Sequence, residues 1–155
     1  MLNRLSLSAF CGACAIWWSV MPVHAACPTL SLDEEFARST AVFTGRAVAQ
    51  SVTTRPAPSL PYTEITFAVE TLWKGTPDKT IQIQTCGGVL GDTDYGCVYG
   101  FRFVVGSRYV VFAMGTTPET STCQHTELLN RATAKATLQW LSKKSPIKIV
   151  DRQDD

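Results

Sequence analysis

A small antiparallel β-barrel, with one short helix before the strands and one helix after them, is the fold this sequence predicts. Three observations carry it. Apolar and polar side chains alternate from Glu64 to Trp73, the run Tyr109-Val-Val-Phe112 is wholly apolar, and after Glu127 the spacing changes to three and four. Alternation with period two marks a strand with one wet face. An unbroken apolar run marks a strand covered on both faces, and spacing of three and four marks an amphipathic helix.

The elements follow in chain order. Ser31-Leu-Asp-Glu34 reads as a capping box, so a short helix is expected over Leu32 to Ser39 with Phe36 on its buried side. Ala41 to Val52, rich in Val, Phe and Thr, reads as a first strand bent or bulged at Gly45. Pro56, Pro58 and Pro61 make Thr53 to Pro61 an extended loop, because a central strand does not tolerate prolines. In the second strand Ile65, Phe67, Val69 and Trp73 share one face and Glu64, Thr66, Ala68 and Glu70 the other. Lys74 to Asp78 turns the chain, and Ile81 and Ile83 alternate with Gln82 and Gln84 in a short third strand. Cys86 to Cys97 encloses glycines and two aspartates and reads as a loop. Val98 to Ala113 supplies a further strand divided near Gly106, and Thr120 to Thr126 a last one. Leu129, Ala132, Ala136 and Trp140 place a helix over Glu127 to Lys144, with Lys143 and Lys144 at its negative end and Pro146 beyond it. Neither an internal repeat nor a second domain is visible.

Residues 1–25 read differently. Arg4 supplies a positive start, Leu5 to Val20 is mostly apolar, and Val23-His24-Ala25-Ala26 is a small-residue site, the order of a secretory signal peptide. The apolar run is interrupted by Ser6, Ser8, Gly12 and Ser19 and falls short of the roughly 20 residues that span a bilayer, so no membrane span is expected after processing. Cleavage after Ala25 makes Ala26 the first mature residue. Cleavage one residue later frees Cys27 but puts His24 in the upstream recognition position, and a lipoprotein reading of Cys27 needs an aliphatic residue where His24 stands. The expected organisation is a signal peptide at 1–25, one domain at 26–145 and a C-terminal tail at 146–155, in a secreted or periplasmic protein.

Processing removes Cys11 and Cys14 and leaves Cys27, Cys86, Cys97 and Cys123. An even number of cysteines in a small exported chain implies two disulfides. Cys86 with Cys97 closes the glycine loop, and Cys27 with Cys123 closes nearly the whole domain. The rival arrangement pairs Cys27 with Cys97 and Cys86 with Cys123. Without Arg4 the basic residues fall from 14 to 13 and balance the 13 acidic ones. A formal charge of zero disfavours nucleic acid and anionic membrane surfaces as partners.

Candidate chemistry is sparse. His125 is the sole histidine after processing, too little for a Ser-His-Asp or Cys-His site or for zinc, so no enzyme, catalytic residue, metal or cofactor is expected. Asp92 and Asp94 lack the further oxygen ligands of a calcium loop and read as a solvated turn. Glu64 and Glu70 fit the wet face of their strand, and Trp73 and Trp140 read as core anchors.

Phe36-Ala-x-x-x-Ala41-Val-Phe43-x-Gly45 followed by Leu72-Trp73-Lys74-Gly75 resembles the bacterial members of the netrin-like superfamily. So does Cys97 followed by Phe103-x-x-Gly106-x-x-Tyr109-Val-Val-x-Ala113 and then Cys123-x-x-Thr126. The group includes proteins similar to tissue inhibitors of metalloproteinases, and the likeness runs from about Cys27 to Leu141. It implies an OB-like, five-stranded antiparallel barrel with flanking helices. It further implies that Cys27, Pro28 and Thr29 form an inhibitory N-terminal segment in which the free α-amine and carbonyl of the first cysteine chelate a protease zinc. Cys97 and Cys123 match two disulfide cysteines of the family, whereas Cys86 has no counterpart there and Cys27-Pro28-Thr29 stands where the inhibitors open Cys-x-Cys. The implied partner is a protein, with a secreted or periplasmic metalloprotease as target. The alternative is a non-inhibitory envelope-associated or extracellular module that binds protein or carbohydrate, since OB-like barrels use one face for such ligands.

Overall fold

The computed structural model describes residues 27–54 and 60–149. The expected leader, Cys11 and Cys14, Pro56 and Pro58, and the end of the expected tail lie outside the described residues.

Helix α1 (Leu32–Arg38) starts at the expected capping box. The Glu34 amide donates to the Ser31 hydroxyl at 3.3 Å, and the Ser31 amide donates to the Glu34 carboxylate at 2.9 Å, so each side chain satisfies an amide that the first turn leaves unpaired. The backbone and side-chain hydrogen bonds from Ser31 hold the Glu34 carboxyl below its ordinary range.

Five strands form one antiparallel sheet: β1 (Ala41–Thr53), β2 (Tyr62–Lys74), β3 (Thr80–Cys86), β6 (Arg108–Ala113) and β7 (Glu127–Leu128), in the order β3-β2-β1-β6-β7. The fold is mainly β with a short N-terminal and a C-terminal helix, as expected. The expected barrel is only latched, because among the described residues no continuous ladder closes the sheet. Glu119 alone bridges Gln84 of β3 to Met114, just past β6.

Gly45 marks an irregularity in β1, though the extra residue belongs to its partner. Gly45 pairs with Val69 and Thr44 with Thr71, leaving Glu70 unopposed. A Cβ on Gly45 would lie 2.7 Å from the Ala68 carbonyl oxygen, so close backbone approach demands glycine here. The bulge reverses the alternation. Leu72, rather than Trp73, joins Ile65 and Phe67 in the main core, and Trp73 packs on the other side. The single uninterrupted face read from Ile65 to Trp73 is thereby corrected.

The main core lies on one face of the sheet, where Phe43, Ile65, Phe67, Leu72, Ile83 and Val111 are fully buried. On the opposite side Val42, Val110 and Phe112 pack with Ala134 and Leu141 of α2 (Ala132–Leu141), joined by Phe36, Trp73 and Trp140. β1 and β6 are thus covered on both faces, which accounts for the unbroken apolar run at 109–112. Trp73 and Trp140 both contribute to this second cluster.

Four further expectations need correction. The glycine loop contains a hairpin, β4 (Gly88–Leu90) with β5 (Thr93–Tyr95), turned at Gly91-Asp92. Gly91 has φ +59° and no other residue type takes positive φ among the described residues, which is the pattern of a type II′ hairpin turn. Thr120 to Thr126 is not a strand. Instead the Thr120 hydroxyl donates to the Phe112 carbonyl at 2.8 Å and the Phe112 amide donates to the Thr126 hydroxyl at 3.0 Å. Two buried hydroxyls thus satisfy the edge of β6 where a ladder would otherwise be needed. The last helix begins at Ala132 because Glu127 and Leu128 pair with Val110 and Tyr109, and its buried positions are Ala134, Thr137 and Leu141. Finally, the expected tail from residue 146 takes part in the body: the Ile147 amide donates to the Leu72 carbonyl at 2.6 Å, and Ile149 packs on the main core.

Candidate functional site: a ridge anchored by two disulfides

The cysteines pair Cys27–Cys123 and Cys86–Cys97, with the rival arrangement absent. Cys27, Pro28 and Thr29 are exposed and precede α1 without secondary structure of their own. The Cys27–Cys123 bridge fixes their start to the turn-rich segment between β6 and β7.

That segment is held from beneath by a residue that its sequence position hides. Glu35 is 1 % exposed, although it is a carboxylate on a seven-residue helix. It accepts the His125 backbone amide at 2.7 Å and its second oxygen meets the His125 ring nitrogen Nδ1. A buried carboxylate needs such partners to offset its desolvation. His125 is therefore a clamp between α1 and the Cys123 segment rather than an isolated imidazole. Leu32, Glu35, Phe36 and Ser39 occupy one stripe of α1 at spacing three and four, so the signal was a charged residue on the apolar face of a helix.

The same segment reaches the second disulfide. The Thr122 amide donates to the Tyr99 carbonyl at 2.9 Å, two residues beyond Cys97. Next to Tyr99, Val98 is 80 % exposed, the most exposed large apolar side chain among the described residues. Cys27-Pro28-Thr29, Thr122 and Val98-Tyr99 thus form one edge tied at both ends by disulfides. Beside Cys97 opens a cleft of about 220 Å3 lined in part by Gln50, Val52, Tyr95, Arg102 and Phe103. A bidentate pair, Arg102 Nη2 to the Asp94 carboxylate at 2.8 and 2.7 Å, ties the hairpin to the next stretch of chain.

The remaining expected residues are placed apart. Asp94 is engaged by Arg102, and Asp92 sits at the hairpin turn. Glu70 is bound by Arg108 on β6, with Nε and Nη2 reaching it at 2.8 and 2.5 Å, which raises the Arg108 pKa. Glu64 lies along β2 opposite Ser51 and Gln84. Among the described residues no group of three His, Cys, Asp or Glu side chains gathers as a metal site, and no helix is long and apolar enough to cross a membrane. Two disulfides fit an oxidising compartment.

No protein-family model matches the chain, and no curated protein is significantly similar to it.

Proposed function

We propose that this chain is an exported, non-enzymatic binding module that engages a protein partner along the ridge, the implied target class being secreted or periplasmic metalloproteases. The observation that carries the reading is the double anchoring of an exposed edge: Cys27-Pro28-Thr29 is fixed through Cys123, and Val98 is fixed through Cys97, with Thr122 bonded to Tyr99 between them. A prefixed edge loses little conformational freedom on binding, and an exposed apolar side chain beside a cleft supplies an anchor and a receptor for one. The resemblance to inhibitors that lead with a bridged cysteine points the same way.

Titration of a panel of secreted zinc metalloproteases with the protein prepared to begin at Cys27 tests the inhibitory form of this reading. At least one member is expected to lose activity stoichiometrically, and Thr29→Arg or Val98→Asp should weaken that effect by about tenfold or more, the loss typical of a central contact. A panel left wholly active, or inhibition indifferent to both substitutions, overturns the reading.

The start of the mature chain distinguishes two modes. A chain beginning at Cys27 presents a free α-amine and its own carbonyl to zinc. A chain beginning at Ala26, the cut favoured by Val23 and Ala25, converts that amine to a neutral amide and does not inhibit by chelation. The ridge then serves a non-inhibitory envelope or extracellular binding role. The mass of the purified N-terminus decides between them.

A further inference from the structure

A second feature lies where β1 and β6 pair between Arg46 and Arg108. Arg46 and Arg108 stand directly opposite each other in the β1–β6 register. Like charges in that position repel unless something compensates them. Glu70 compensates one, gripping Arg108 through both carboxylate oxygens. Among the described residues Arg46 is tied only to a neutral acceptor, its Nη1 donating to the Gly106 carbonyl at 2.6 Å. Both arginines line an open cleft of about 460 Å3, within the size of small-molecule sites. Its wall is Leu128 and Leu129, with Ser107 and Asn130 as neutral polar groups, and no carboxylate lines it.

We infer that this cleft binds a small organic carboxylate with a hydrocarbon body. The planar guanidinium fork matches a carboxylate in two-point fashion. A single uncompensated arginine suits one negative charge, and the leucine wall takes the apolar remainder. The first turn of α2, adjacent to Asn130, carries no acidic side chain of its own, and the nearby Glu127 carboxylate accepts from the Thr133 and Thr137 hydroxyls and does not line the cleft.

The test uses amide resonances of the oxidised mature protein titrated with octanoate, with octanamide and with acetate. Octanoate is expected to shift Arg46, Arg108, Leu128 and Leu129 saturably below its micelle concentration. Octanamide, lacking the charge, and acetate, lacking the chain, should each bind at least about tenfold more weakly. Arg46→Gln, at an exposed position, should weaken octanoate by about tenfold, and Arg46→Lys, which keeps the charge but not the fork, by less. The inference fails if octanoate shifts none of these residues, if octanamide binds as well as octanoate, or if Arg46→Gln binds octanoate unchanged. The wild-type comparison of octanoate with octanamide decides the matter even if the variant does not fold.

Discussion

Replacing Cys27 and Cys123 together by serine is expected to lower the unfolding free energy by about 4 to 5 kcal/mol on the chain-entropy account of cross-links. The bridge joins residues 96 apart in sequence, so its loss releases nearly the whole domain in the unfolded state. Cys86–Cys97 spans a separation of 11, and its removal should cost less, about 3 kcal/mol on the same account. Domains of this kind have total stabilities of roughly 5 to 15 kcal/mol, so the first variant approaches the limit of folding. Urea unfolding of the two serine pairs checks the order: the Cys27/Cys123 pair should show the larger drop in midpoint. The same variant should lose partner binding under conditions where it remains folded, because residues 27 to 29 are then tethered to the body only through α1. Retained stability with lost binding would instead assign the bridge to the ridge alone.

Phe67→Ala is expected to destabilise the folded state by about 3 to 5 kcal/mol. Phe67 is wholly buried near the middle of β2, between Ala47 on β1 and Ile81 on β3. Its ring meets Phe43, Phe103 and Tyr109 edge-on at centroid distances of 5.4, 5.2 and 6.1 Å. Truncation removes the shared member of these aromatic pairs and leaves a cavity whose walls belong to three strands and to the chain around Phe103. Such a cavity collapses poorly because hydrogen-bonded strands resist local movement. Thermal unfolding of Phe67→Ala with both disulfides intact separates this loss from the cross-link effect. A change below about 1 kcal/mol would mean that the site relaxes and that Phe67 is not the centre of the core.

Much of the architecture could be read directly from residue order. The Ser31–Glu34 box, the proline-bounded start of the second strand, the Ile81/Ile83 strand and the buried Tyr109–Phe112 run all rest on local signals, and each is present. What residue order did not reveal depends on contacts between distant segments. The bulge at Glu70 arises from the pairing of β2 with Gly45 on another strand, and it reverses a side-chain alternation that looked continuous. Glu127 and Leu128 continue a helical spacing but find a partner in β6, so tertiary pairing outweighs local periodicity. Thr120 and Thr126, both β-formers, act through their hydroxyls on Phe112 instead of through a ladder. Disulfide pairing was open between two arrangements because chain order carries no distances.

The ridge was half visible. Cys27-Pro28-Thr29 stood out through the resemblance, and His125 stood out as a single histidine. Glu35 did not, since three acidic residues in succession at a helix start look like ordinary dipole compensation. Only its burial separates it from Asp33 and Glu34. Arg46 and Arg108 lie 62 positions apart, and strand register alone brings them together.

A proteolytic peptide map of the non-reduced protein tests the account most directly, because the ridge exists only if its two ends are cross-linked as described. The expected result is one linked fragment joining the peptide of Cys27 to that of Cys123 and another containing Cys86 bonded to Cys97. Fragments joining Cys27 to Cys97 and Cys86 to Cys123, or four free thiols, would contradict it.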